Sequence, residues 1–156
     1  MSNSIDPTAI IDPKAKIAQN VSVGAYSIIG PNVNIGKNTV IHSHVIIDGY
    51  TKIGIDNQIY PFSVIGLNPQ HLKFSGEITE LIIGDNNIIR EHVTIHPGTL
   101  VGTKKTIIGN NGLFMVGCHV LVSWALCGHH FHGLHFVWKK MNFFVHADLK
   151  KQKPHE

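Results

Sequence analysis

The chain has 156 residues, 15% of them charged and 43% apolar, proportions that fit one packed domain and exclude a disordered segment. Its formal charge of +3 is uneven: residues 1–120 hold eight basic and eight acidic side chains, and 121–156 add five Lys and two acids, so no basic face for nucleic acid is expected. With no apolar run of about 18 residues, no basic-then-apolar start, and two cysteines (Cys118 and Cys127) that make no disulfide framework, the sequence excludes a transmembrane helix, a signal peptide and a secreted scaffold, and a reducing cytoplasm is the expected location.

From the start of the chain, every sixth residue is aliphatic: Ile5, Ile11, Ile17, Val23, Ile29, Ile35, Ile41, Ile47, Ile53, Ile59 and Ile65. The residue two before is small or β-branched, as at Ala15, Val21, Ser27, Val33, Thr39, Val45 and Thr51. Residues two apart on a strand share a face, so each such pair points inward together. The rest of each hexad turns a corner, and Asn20, Asn32, Asn38 and Asp56 stand where a left-handed backbone suits a tight turn. Three hexads make one triangular coil, and coils stack at about 4.8 Å. A period of six kept this long predicts an all-β parallel β-helix and not a set of hairpins.

After Ile65 the pattern lapses and resumes in phase at Ile83, Ile89, Ile95 and Val101. The 18-residue gap reads as one full coil given over to a loop at 66–82, where the in-phase residues are His71 and Glu77. A second break, GTKKT, leads to Ile108, one residue out of phase, and Phe114 and Val120 follow. About six coils are expected between Ile5 and Val120. Beyond it the composition changes: residues 121–156 hold both Trp and four of the seven Phe. The expected division is therefore a β-helix over 1–120 and an irregular His- and aromatic-rich tail over 121–156. An open prism end exposes strand edges, so the tail aromatics are expected to cover it or stay poorly ordered.

Two segments narrow the reading: GLNPQHLKF at 66–74, and IREHVTIHPGT at 89–99 followed by NGLFMVGCH at 111–119. With the hexads, they resemble the hexapeptide-repeat UDP-N-acetylglucosamine O-acyltransferases that open lipid A synthesis. The resemblance covers about residues 5–120. It implies a left-handed β-helix, a homotrimer with sites in clefts between prisms, and no metal or other cofactor, since acyl carrier protein carries the acyl donor. The implied reaction moves a 3-hydroxyacyl chain to the sugar 3-hydroxyl, with a histidine as general base; imidazole suits this because its pKa lies near neutrality.

Residue by residue, the resemblance places Gln70, His71 and Lys73 in the sugar-nucleotide loop, although His71 stands where the family usually has Asp. His96 matches a histidine lining the cleft, the alternative being an ordinary surface histidine. His119 matches the supporting histidine of an H-x-x-H-D motif. Arg90 and Glu91 match a family dipeptide, for which corner packing and a surface pair are expected. The base should stand three residues after His119, where this chain has Val122, followed by Ser123 in place of the orienting acid. Valine neither accepts nor donates a proton. Loss of motif, period and composition together points to a truncated or frameshifted sequence after about residue 120, inactive as written. The rival expectation is a non-catalytic trimeric module that binds sugar nucleotide. Cys118, His119, Cys127, His129, His130, His132 and His135 match no zinc-module spacing, so no metal site is assigned.

Overall fold

The structure, a computed structural model, describes residues 2–100, 104–121 and the backbone of 124–127. Short parallel strands stack into three sheets, the faces of a triangular prism. Face A carries Ser4–Ile5, Ser22–Val23, Val40–Ile41, Gln58–Ile59, Ile88–Ile89 and Leu113–Phe114. Face B carries Ile10–Ile11, Ile28–Ile29, Ile46–Ile47, Val64–Ile65, Thr94–Ile95 and Cys118–Leu121. Face C carries Lys16–Ile17, Asn34–Ile35, Tyr50–Ile53, Glu80–Ile83 and Lys105–Ile108. The described prism therefore completes five turns and two faces of a sixth, slightly less than the expected six coils.

The hexad aliphatics fill the interior: Ile29, Ile41, Ile47, Ile59, Ile65, Ile83, Ile89 and Ile95 are 0–1% exposed. The position two before them is buried as well, and hydroxyls there bond corner carbonyls, except Thr106 Oγ1, which has no partner among the described residues. Ser27 Oγ donates to His42 O (2.8 Å), Thr39 Oγ1 to Gly54 O (3.1 Å) and Ser63 Oγ to Arg90 O (2.9 Å). A small hydroxylic residue thus fits the narrow prism and satisfies a corner carbonyl at the same time. Ile5 departs from the pattern at 45% exposed, because the first turn has a neighbouring turn on one side only.

The corners differ in chemistry. Asn20, Asn38, Asp56, Asn86 and Asn111 take left-handed backbone (φ 55–60°) between faces C and A. Their amides link turn to turn, as in Asn38 Nδ2 to Asp56 Oδ1 at 2.9 Å. Asn32, after Pro31, does not use that conformation. Between faces A and B the left-handed residues other than glycine are Tyr26, His44, Phe62 and His92. Bulky side chains are rare there. These four stack in a column, with ring centroids 5.2, 5.1 and 5.1 Å apart.

The two lapses in the hexad prove to be corners grown into loops between faces B and C. Register partners are 18 residues apart in the early turns, as in Val23↔Ile41, but 30 apart for Ile59↔Ile89 and 25 for Ile95↔Val120. The gap from Ile65 to Ile83 therefore advances the chain by one face and is not a full coil. The extra twelve residues are two hexads' worth, which is why phase survived in the sequence. The excursion occupies 66–79; Glu80, Leu81 and Ile82 already lie in face C. Val101 lies outside the described residues, and the face C strand that follows Ile95 begins at Lys105.

Residues 124–127 do not continue the parallel coils. They form a strand antiparallel to Cys118–Leu121, with Cys118↔Cys127 and Leu121↔Trp124 in register, and so extend face B past the prism's last parallel strand. Cys118 is disulfide-bonded, which a count of two cysteines gave no reason to expect. The other tail aromatics and histidines, with Val122 and Ser123, lie outside the described residues.

Candidate functional site

Strand geometry points alternate residues outward, and on face B one outward column reads Ile10, Ile28, Ile46, Val64, Thr94, His119. Five of the six are β-branched, and the column ends in an imidazole. Both long loops leave the prism at the face B–face C corner beside this end, so loop chain stands over the last two rungs.

His96 is the first residue of the second loop, directly after the inward Ile95. It is 5% exposed, which rules out an ordinary surface histidine. Its backbone N–H donates to Val120 O (3.0 Å), and its Nδ1 lies 3.1 Å from Leu67 O at the start of the first loop. A carbonyl only accepts, so this partner assigns the proton to Nδ1 and leaves a lone pair on Nε2. That Nε2 is buried with no hydrogen-bond partner.

His119 is half-buried and meets His96 edge to face, centroids 5.3 Å apart at 78°. Its Nδ1 is hydrogen-bonded to Thr94 Oγ1, one turn below on the same column. Burial, and then the neighbouring His96, hold the His119 pKa below its ordinary 6.5. The ring is thus biased to the neutral form, which can accept a proton or a hydrogen bond at neutral pH.

Gln70, His71 and Lys73 are exposed on the first loop. Lys73 N–H donates to His71 Nδ1 (3.2 Å), and Phe74 N–H to His71 O (2.9 Å). His71 therefore folds the loop's own turn, with Leu72 fully exposed beside it. The structure brings together His96, His119 and the loop's start at Leu67; among the described residues no hydrogen bond joins Gln70, His71 or Lys73 to the pair. Arg90 lies at the end of face A, paired with Glu91 (3.0 Å) and 4.6 Å over the Tyr60 ring, which is corner packing and a surface pair. Thr94 escaped sequence reasoning, because only the register, 25 residues from His119, makes them neighbours. Among the described residues no cluster of three or more His, Cys, Asp or Glu could hold a metal ion.

Residues 14–49 match the family described as bacterial transferase hexapeptide (six repeats). The chain is 58% identical over 116 residues to the acyl-[acyl-carrier-protein]–UDP-N-acetylglucosamine O-acyltransferase of Stutzerimonas stutzeri, covering 74% of this chain and 45% of the relative. It is 54% identical over 116 residues to the protein of that name from Saccharophagus degradans, with the same coverage. Among solved structures, it superposes on UDP-N-acetylglucosamine O-acyltransferase from Moraxella catarrhalis with TM-score 0.73 and 53% identity, over 76% of this chain and 46% of that one. The chain spans a little under half the length of these relatives.

Proposed function

We propose, from its membership of the acyl-[acyl-carrier-protein]–UDP-N-acetylglucosamine O-acyltransferase family, that this chain presents the sugar-nucleotide side of that family's acyl-transfer site. The reaction of that family's complete site is transfer of a 3-hydroxyacyl chain from acyl carrier protein to the 3-hydroxyl of UDP-N-acetylglucosamine, the first step of lipid A synthesis. A histidine takes the hydroxyl proton, the oxygen attacks the thioester carbonyl, and the carrier thiol leaves. The observation that carries this reading is the contact between half-buried, neutral-biased His119 and buried His96, which is tied to the loop that holds Gln70 and Lys73. In this reading Lys73 meets phosphate as a point charge, and Gln70 offers an amide to the sugar.

Val122 favours a second reading of the same site: a module that holds sugar nucleotide without turning it over. The two readings differ in one measurable property, transfer. They share binding, which isothermal titration with UDP-N-acetylglucosamine tests. A saturable heat, weakened tenfold or more in Lys73→Ala, is expected, and no heat at millimolar ligand rejects both.

A homotrimer of left-handed prisms also belongs to this proposal. Its support is the outward column of face B, where Ile10 and Ile28 are 64% and 41% exposed and no charged residue stands between Ile10 and Thr94. Face C by contrast puts Lys16, Lys52 and Lys105 outward. A cytoplasmic location follows from the family reading alone. Among the described residues no helix is long and apolar enough to cross a membrane, and the Cys118 disulfide withdraws the argument from cysteine content.

A further inference from the structure

Thr94 and His119 occupy the same outward position on consecutive turns of face B, so their side chains stand one strand spacing apart. A threonine on a strand is stiff about χ1, which fixes its hydroxyl in space. That hydroxyl bonds His119 Nδ1. The His119 ring is flanked edge-on by His96, whose own Nδ1 is committed to Leu67 O. Of the two rings, His119 is the one with exposed surface; the Nε2 of His96 is buried without a partner. Which nitrogen of His119 carries the proton decides what it can do. A bare Nε2 accepts from a hydroxyl, whereas a protonated one can only donate.

We infer that Thr94 is a positioning residue: its Oγ1 accepts the Nδ1–H of His119 and so presents Nε2, with its lone pair, to a hydroxyl of the ligand. The assignment rests on the sugar-nucleotide reading for the identity of that ligand, but not for the geometry. The second histidine of the site uses the same logic, since His96 donates through Nδ1 to a carbonyl and keeps Nε2 as an acceptor. A neutral hydroxyl, not a phosphate, is the group such a nitrogen suits, because a phosphate oxygen brings no proton at neutral pH.

The test is ¹⁵N-edited NMR of the imidazoles in the full chain at about pH 8, where an ordinary histidine is neutral. Wild type is expected to show His119 as a single Nδ1–H tautomer. Thr94→Ser should preserve it, because the hydroxyl stays. Thr94→Val, similar in shape, should lose it, giving a mixture rich in Nε2–H with the backbone amide spectrum otherwise unchanged. A purely structural threonine would alter the melting temperature without moving the tautomer. An Nε2–H wild type overturns the assignment whether or not the valine variant folds, and so does a valine variant with an unchanged imidazole spectrum. Titration with UDP-N-acetylglucosamine should then shift His119 Nε2. No shift with the tautomer intact would sink the sugar-nucleotide reading and leave the role of Thr94 standing.

Discussion

His119 carries a pH signature that its environment sets. Burial and the adjacent His96 lower its pKa from the ordinary 6.5, so the unfolded chain binds a proton more readily than the folded one. Stability is therefore unaffected by this group above about pH 7. It falls as the pH drops through 6.5 toward the depressed folded value. Denaturant midpoints measured from about pH 7.5 down to 5 should decline, and His119→Gln should flatten part of that decline; an unchanged slope in the variant would contradict the assignment. Sequence motifs alone found His96 and His119. Their burial and tautomers were not legible, because these depend on Leu67 O and Thr94 Oγ1, which lie 29 and 25 residues away in the chain. Lys73 was legible as a loop residue, but its distance from the pair depends on a turn that His71 makes with its own ring.

The corner between faces C and A is an amide ladder. Asn87 is buried, donates to Asn57 Oδ1 (3.1 Å) and Gly109 O (3.0 Å), and accepts from Gly112 N–H (2.8 Å). Asn87→Ala should cost about 1–3 kcal/mol in a denaturant melt, the penalty of leaving buried polar groups unpaired. A loss under about 0.5 kcal/mol, the range of an ordinary surface substitution, would show that water replaces the amide. At the next corner, Phe62 and His92 stack at 5.1 Å and 10°. A double-mutant cycle to alanine should return a coupling of about 0.5–1.5 kcal/mol. The hexad strands and the Asn corners could be read directly, because period and turn chemistry are local. The ring column could not, since Tyr26 and Phe62 are not turn residues and hold left-handed backbone where a neighbouring ring stacks on theirs. The first loop was located but its path was misjudged: an insertion of two hexads keeps phase whether or not it makes a coil.

At the scale of the molecule, the face B column calls for a partner of matching length and spacing, and a second prism has both. Ile28→Glu should shift the light-scattering mass from three chains toward one while the β circular dichroism spectrum is kept. A trimeric variant would move the interface elsewhere, and a monomeric wild type would remove it. At position 122 this chain has valine where the resemblance places the catalytic base. A positioned base is worth about 10²–10⁴ in rate, and His119 stands three residues before Val122 in the chain. The most direct measurement incubates purified chain with UDP-N-acetylglucosamine and labelled 3-hydroxyacyl carrier protein, beside His119→Ala. No acylated sugar nucleotide above background is predicted from either protein, at concentrations where titration detects bound sugar nucleotide. Clear turnover by the wild-type chain that His119→Ala abolishes would contradict the account, because His119 would then be the base.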